Sequence, residues 1–373
     1  MLQTKNILPY VCLIILFASL ISCGGQKTGD NEAPSDSVVV VFDYGKFKVF
    51  RGTNIAHWLS QSGRRGAERE AFFTRKDVEM AKSIGFDHLR IPIDEEQMWD
   101  EAGNKNEDAF ALLDSAMTWC YDNQLRVVVD LHILRSHHFN NEEKPLWTDP
   151  AEQEQFIDLW KDLSAALNKW PVGMAAYELM NEPVADDPDQ WNDLVARAVA
   201  AIRQWEPERT IVVGSNRWQS ANTFDVLRVP DDPNIMLSYH FYEPFHLTHW
   251  KASWTHLKDF DKPVAYPGQI VPDGSTGQEL RVYNRDTLIR MMQKPFRLAD
   301  SLGLPLYCGE FGVIEGTPRQ DRLAWYRDMV SIFEEHKVGY ANWNYKAGSF
   351  ETVDENGKPD QELADILGGA KGG

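Results

Sequence analysis

From residue 38 onward, short runs of apolar residues alternate with longer stretches in which apolar residues recur every three or four positions. A short apolar run between polar segments is typical of a buried strand, and the three- to four-residue spacing is typical of an amphipathic helix. The runs predict strands at 49–55, 88–91, 126–131, 174–179, 210–213, 235–241, 306–308 and 339–343. The spacing predicts helices at 75–84, 110–123, 152–168, 191–205, 286–302 and 322–336.

Alternating strands and helices in one continuous segment predict the α/β class, in which helices pack around a parallel sheet. We predict a (β/α)8 TIM barrel that forms a single domain over residues 38–373, because eight strands suit closure into a barrel. A doubly wound open sheet would show the same alternation and is the alternative.

The first 22 residues have a different character from the rest of the chain. They contain Lys5 and an apolar run near 11–21 that is too short for a comfortable membrane span. The tetrapeptide at 20–23, Leu-Ile-Ser-Cys, resembles a bacterial lipobox. The pattern predicts a lipoprotein signal peptide over 1–22, lipidation of Cys23 and a flexible tether over 23–37. A plain secretory signal with an incidental cysteine is the alternative.

A lipid anchor of this kind predicts a lipoprotein of the cell envelope in a Gram-negative bacterium. Positions 24 and 25 are glycines, so the aspartate that signals retention in the inner membrane is absent there, which favours the outer membrane. The sequence leaves open whether the protein faces the periplasm or the cell surface.

Composition narrows the functional classes. The chain has 56 acidic against 38 basic residues, a formal charge of -18 that would repel nucleic acid and other polyanions. Its 13 tryptophans exceed what core filling usually requires, so some of them need another use. Behind the signal and the lipid site only Cys120 and Cys308 remain, which predicts two buried thiols and no zinc site.

Polar and aromatic side chains stand at the ends of nearly all predicted strands. They are Asn54, His57, Arg90, His132, Asn181, Glu182, His240, Tyr242, Glu310, Trp343 and Asn344. In a barrel all of these positions lie on the C-terminal face, where barrel enzymes carry their sites. Two of them are carboxylates, Glu182 after the fourth strand and Glu310 after the seventh, which can face each other across the barrel axis.

Two facing carboxylates can cleave a glycosidic bond, one as proton donor and the other as nucleophile. The donor needs a raised pKa and the nucleophile needs a cation and a hydroxyl nearby. Arg90 and Tyr242 are available for that purpose, His132 and His240 would complete the hydrogen-bond network, and Trp343 offers an apolar plate for a sugar ring. We therefore predict a glycosidase.

A series of motifs carries a resemblance to a known family. They read RGTNIAHW at 51–58, HLRIP at 88–92, VVVDLH at 127–132, YELMNEP at 177–183, SYHFYEPF at 238–245, YCGEFG at 307–312 and ANWNYK at 341–346. From about residue 45 to the C-terminus, the chain resembles glycoside hydrolase family 5, the cellulase family of clan A. The resemblance implies a (β/α)8 barrel without a cofactor that hydrolyses β-linked glycans with retention of configuration.

The resemblance also implies roles for single residues. Glu182 in Asn-Glu-Pro would be the acid/base, Glu310 in Gly-Glu-Phe-Gly the nucleophile, and Asn181 the partner of the sugar 2-hydroxyl. The other family positions around the reacting sugar would be filled by Arg90, His132, His240, Tyr242 and Trp343.

One departure from the family pattern concerns the third strand. Many members have a second histidine directly after the strand-three histidine, where this chain has Ile133. His137 or His138, in the loop that follows, is a candidate substitute. Adjacent histidines do not point at one ligand as an i, i+4 pair on a helix does, so we do not predict a metal site there.

The sequence thus predicts a monomeric, lipid-anchored, retaining endo-β-glycosidase acting on β-1,4-linked glucan, with a β-glycan substrate, no cofactor, no metal and no nucleic-acid partner. A β-mannanase or xyloglucanase of the same family and an exo-acting β-glucosidase are alternatives. A non-catalytic glycan-binding lipoprotein would tend to lose a carboxylate or Arg90, and this chain keeps them. A metal-dependent barrel hydrolase would need a ligand set on the first strand, which offers only Asn54 and His57.

Overall fold

The computed structural model describes residues 42–272, 274 and 279–369. Eight parallel strands close into a barrel in the spatial order β1-β10-β9-β6-β5-β4-β3-β2. The barrel strands are β1 (Arg51–Asn54), β2 (His88–Asp94), β3 (Arg126–Ile133), β4 (Ala175–Glu178), β5 (Thr210–Gly214), β6 (Ile235–Phe241), β9 (Leu306–Phe311) and β10 (Gly339–Asn342), and the other two strands, β7 (Gly268–Ile270) and β8 (Arg281–Tyr283), form an antiparallel hairpin. The predicted (β/α)8 barrel is confirmed.

Helices surround the barrel and follow its strands. The α-helical segments are Gly66–Phe72, Arg75–Ile84, Glu95–Met98, Glu107–Asp122, Pro150–Leu167, Pro188–Trp205, Asn216–Gln219, Phe245–Thr248, Arg285–Met291, Gln293–Leu302, Arg319–His336 and Gln361–Gly368, and the 3-10 turns are Pro145–Trp147 and Ala221–Val226. The helix predicted over 286–302 is interrupted at Met292, because Pro295 has no N–H and its ring would clash with the Met291 carbonyl.

Side chains alternate between the inside of the barrel and the helices outside it. The inward residues at the floor form a cluster of their own, made of Phe47, Val49, Val128, Ala176, Val212, Met236, Tyr307 and Ala341. Farther along β3, toward the C-terminal face, the inward positions are taken by Asp130 and His132. The barrel is therefore apolar at its floor and polar at its open end, which directs the chemistry to that end.

Two tryptophans, Trp160 and Trp191, stabilise this open end from the outside. Trp160 and Trp191 are fully buried, and their indole N–H groups donate to the carbonyls of Leu179 and Gly214 at 2.9 Å. Those carbonyls lie where β4 and β5 end. Part of the tryptophan surplus therefore holds strand ends in place rather than binding a ligand.

The long connection after β6 is more ordered than the sequence indicated. It contains the short helix Phe245–Thr248 and the β7–β8 hairpin. Among the described residues, none of the helices combines the length and the apolar character needed to cross a bilayer. Cys120 and Cys308 are buried free thiols. The predicted signal peptide, Cys23 and the tether lie outside the described residues.

Candidate active site

Glu182 and Glu310 meet at the open end of the barrel. Glu310 belongs to β9, and Glu182 lies four residues beyond the end of β4. Side-chain atoms of Glu182, Glu310 and His240 lie within 4.8 Å of one another. Retaining glycosidases separate their two carboxyl groups by about 5–5.5 Å and inverting ones by about 6.5–9.5 Å. An approach of the two side chains within 4.8 Å fits the retaining spacing better than the inverting one.

The backbone at Glu182 has an uncommon conformation. Its φ is 45°, in the left-handed region that non-glycine residues rarely adopt. Such conformations persist where surrounding contacts hold them, and they concentrate at functional sites. The backbone N–H of Glu182 donates to Gln219 Oε1 at 2.9 Å.

Arg90 connects most of the buried polar groups of the site. It is fully buried, and Nη1 donates to Glu310 Oε1 at 2.9 Å. Nη1 also donates to Asn54 Oδ1 at 2.8 Å, while Nε and Nη2 contact Glu178, Asn181 and Asp130 at 2.7 to 3.0 Å. Burial alone would lower the pKa of Arg90, but the carboxylates of Asp130, Glu178 and Glu310 raise it. The guanidinium is therefore a permanent cation beside Glu310.

The surroundings make the two glutamates different. Burial raises the pKa of both carboxyl groups, because a buried carboxylate loses its hydration. At Glu182 the negative charge of Glu310 raises the pKa further. At Glu310, the positive charge of Arg90 and the hydrogen bond from the Tyr242 hydroxyl oppose the rise. The proton of the pair therefore stays on Glu182, while Glu310 is the carboxylate.

Three uncharged neighbours, Tyr242, His132 and His240, surround the two glutamates. Burial raises the pKa of Tyr242, so its hydroxyl keeps its proton and donates to Glu310 Oε2 at 2.9 Å. Burial lowers the pKa of His132 to about 4 and that of His240 well below its usual range. His240 Nδ1 lies 3.0 Å from Glu182 Oε1, and His132 Nδ1 lies 2.6 Å from Asp130 Oδ2.

Aromatic rings line the space in front of these groups. The Trp343 indole stacks on the His132 ring at 5.7 Å with 9° between the planes, and His57 meets its edge at 6.4 Å. Of the loop tryptophans, Trp218 is 45% exposed and Trp254 is 58% exposed. These two are available to a ligand. Trp58 and Trp147 are buried by packing, so they are not.

The loop histidines do not replace the missing second histidine. His137 is 1% exposed, and its Nε2 accepts the Val184 N–H at 3.1 Å. His138 packs at a tilt against Phe139, whose ring meets the His132 ring edge to face at 6.1 Å. His137 therefore holds the segment after Glu182, and the ring of this loop that contacts His132 is that of Phe139.

The structure brings all the predicted site residues of the barrel together: Arg90, His132, Asn181, Glu182, His240, Tyr242, Glu310 and Trp343. Sequence reasoning noted Asn54 but gave it no role, although its Oδ1 accepts from Arg90 at 2.8 Å. It missed Gln219, whose position in an ordinary polar turn gave no signal. Among the described residues, Glu182, His240 and Glu310 are the one group with metal-ligand spacing, and Arg90 already supplies a cation there.

A closed (β/α)8 barrel with two glutamates close together at its open end is an arrangement that suits a glycoside hydrolase. The sequence model of the family described as cellulase, glycosyl hydrolase family 5, matches residues 49–349, and the chain belongs to that family. It is 34% identical over 333 residues to endoglucanase C of Acetivibrio thermocellus, covering 85% of this chain and 97% of the relative. It is 28% identical to cellodextrinase A of Ruminococcus flavefaciens, covering 78% and 83%.

Solved structures share the fold. Endoglucanase Cel5A from the hyperthermophilic Thermotoga maritima superimposes with a TM-score of 0.72 at 24% identity, covering 85% of this chain and 96% of that one. The cellulose synthase subunit Z of Clostridioides difficile gives a TM-score of 0.72 at 24% identity, covering 86% and 99%.

Replacing Glu182 by glutamine should stabilise the protein, and more so as the pH rises. Above its usual pKa of 4.5 this carboxyl ionises in the unfolded chain, while the folded protein keeps it protonated. Folding then binds a proton, so wild-type stability falls with rising pH, whereas glutamine does not titrate. We expect the melting temperature to rise by about 1–3 °C near pH 8 and hardly at all near pH 4. Glu315→Gln, at an exposed carboxyl, is the control; an equal gain at both pH values would contradict the assignment.

Proposed function

We propose that this enzyme is a retaining endo-β-1,4-glucanase in which Glu182 is the acid/base and Glu310 the nucleophile. The observation that carries the proposal is the pair of carboxyl groups within 4.8 Å, of which Glu310 contacts a buried guanidinium and Glu182 does not. This asymmetry suits one proton donor and one ionised nucleophile.

The reaction has two displacements. In the first, Glu310 attacks the anomeric carbon while the proton of Glu182 passes to the glycosidic oxygen, so that the leaving sugar departs as an alcohol and a glycosyl ester forms on Glu310. In the second, the Glu182 carboxylate takes a proton from water, which attacks the same carbon and releases Glu310. Two inversions restore the original configuration.

Neighbouring side chains would bind the reacting sugar. Arg90 donates a hydrogen bond to Asn181 Oδ1, so the amide nitrogen of Asn181 is free to donate to the sugar 2-hydroxyl. Trp343, stacked on neutral His132, would support the ring, and Tyr242 and His240 would keep the carboxyl groups aligned. All of these groups belong to one chain, so the site needs no residue from a second subunit.

Three observations support an internal β-glucan bond as the substrate. Two relatives, at 34% and 28% identity, are an endoglucanase and a cellodextrinase. The exposed indoles of Trp218 and Trp254 lie on the loops after β5 and β6, where further sugar rings of a long chain could stack. A glucan is neutral, so the net charge of -18 does not repel it.

The test is product analysis on soluble β-1,4-glucan, mannan and xyloglucan. We expect short oligosaccharides from the glucan, with a rapid fall in viscosity, and the β-anomer as the first product in a proton NMR time course. Release of the α-anomer would contradict double displacement. A clear preference for mannan or xyloglucan would move the substrate within the family, and release of single glucose units would indicate exo action.

We propose further that Cys23 carries a lipid that anchors the enzyme to the outer membrane of a Gram-negative cell. The support is the sequence at 20–23 and the polar segment that follows. Expressed as the full chain in such a host, the wild type should fractionate with outer membranes and incorporate labelled palmitate. Cys23→Ser should do neither while keeping its activity; palmitate labelling of that variant would exclude this site.

A further inference from the structure

The turn that follows β5 has a strained backbone. Arg217, Trp218 and Gln219 are consecutive non-glycine residues with φ of 54°, 60° and 50°. Non-glycine residues rarely adopt this region, so the run persists only because its contacts hold it. Gln219 folds back over Gly214, where an added Cβ would lie 2.4 Å from its side chain. The turn thus delivers one fully buried amide into the barrel.

On one side this amide holds the backbone that carries Glu182. Gln219 Oε1 accepts the Glu182 N–H at 2.9 Å, at the residue whose φ is 45°. The same two loops are joined next to it: Asn216 exchanges a pair of hydrogen bonds with the backbone of Ala185 at 2.9 and 3.0 Å. Of these contacts between the two loops, the one made by Gln219 reaches Glu182 itself.

On its other side the amide is fixed from within the barrel. Gln219 Nε2 donates to Glu178 Oε1 at 3.0 Å and to Ser238 Oγ at 3.1 Å. Glu178 in turn accepts from Arg90 at 2.7 Å. An amide both accepts from a backbone N–H and donates to a carboxylate, so an apolar side chain of similar length loses both contacts.

We propose that Gln219 is a positioning residue for proton transfer: it fixes the direction of the Glu182 carboxyl through the backbone of that residue. The inference rests on the role proposed for Glu182. Gln219 is linked to Glu310 indirectly, through Glu178 and Arg90. Arg90 has other partners that hold it, so this link is the weaker one. Loss of Gln219 should therefore impair protonation of the leaving group more than nucleophilic attack.

The experiment compares two aryl β-cellobiosides. A dinitrophenolate leaves without a proton, whereas phenolate needs one, so the ratio of their kcat/KM values reports the acid. In Gln219→Met we expect kcat/KM to fall about 10–100-fold on the phenyl glycoside, part of the 10²–10⁴-fold that a general acid contributes. On the dinitrophenyl glycoside we expect a fall below about threefold.

A second variant keeps every hydrogen-bonding group of the site but displaces the Gln219 side chain. Gly214→Ala inserts a methyl group against Gln219 and should shift the ratio in the same direction, so the test does not depend on folding of one protein. Arg217→Met is the matched control, because it removes exposed contacts of this turn with Asp186 without touching Glu182 or Glu178. It should leave the ratio unchanged.

Glu182→Ala separates the two hypotheses. If its ratio equals that of the wild type, the role proposed for Glu182 fails. If Glu182→Ala shifts the ratio but Gln219→Met and Gly214→Ala slow both glycosides equally, Gln219 is a structural residue and the positioning role is overturned.

Discussion

Glu310→Gln should lower kcat on β-glucan by about 10⁴-fold or more, the scale on which enzymes lose activity when their nucleophile is removed. Glutamine has nearly the same shape but cannot form the glycosyl ester under these conditions. Arg90 and Tyr242, which keep Glu310 ionised, would then contact an amide that cannot act as the nucleophile. Turnover should be measured on the glucan and on the dinitrophenyl glycoside, because loss of the nucleophile affects both.

The accompanying control is a direct observation of the intermediate. A fluorinated cellobioside with a good leaving group should label the wild type at Glu310, as read by peptide mass, and should leave Glu310→Gln unlabelled. Glu315→Gln, five residues later at an exposed position, should keep its activity. Labelling at another carboxylate, or more than a tenth of wild-type turnover in Glu310→Gln, would contradict the assignment.

Arg90→Met should destabilise the fold by about 3–5 kcal/mol, the cost of removing one partner of a buried ionic network. It would leave the carboxylates of Asp130, Glu178 and Glu310 without their common cation. Because these groups can take up protons in acid, the loss should be smaller near pH 4 than near pH 7. Activity should fall as well, since Glu310 would no longer be held ionised.

Denaturant unfolding of wild type and variant measures this effect. Arg228→Met is a suitable control: its guanidinium pairs with Asp189 and Asp193 at the surface and is 56% exposed, so its loss should cost about 1 kcal/mol or less. Arg90→Lys keeps the positive charge but lacks the planar guanidinium that contacts several partners. Its free energy of unfolding should lie between those of the wild type and Arg90→Met. A loss below about 1 kcal/mol in Arg90→Met would show that the buried network adds little to stability.

Much of the fold was predictable because the barrel repeats one simple pattern. Apolar runs such as 126–131 formed strands, and the polar residues at their ends came together because parallel strands share one carboxyl end. Strand ends were less exact: β2 extends to Asp94 and β9 includes Glu310. Local chemistry explains other misses, such as Pro295 interrupting one predicted helix.

The loops were predicted less well. The hairpin Gly268–Ile270 with Arg281–Tyr283 and the inward turn of His137 depend on partners far away in sequence, and no local pattern reports them. The same holds for Gln219, which lies 37 residues from Glu182 and meets it only after the barrel has closed.

By itself, the sequence determined the barrel, the rim on which the chemistry lies and the two glutamates, because strand periodicity and motif order are local properties of the chain. The tertiary structure decided the distance between the carboxyl groups, which of them holds the proton, and the network of Arg90, Glu178 and Gln219 behind them. Those properties depend on burial and on contacts between distant residues. They set the pKa difference between Glu182 and Glu310, and that difference separates an acid from a nucleophile.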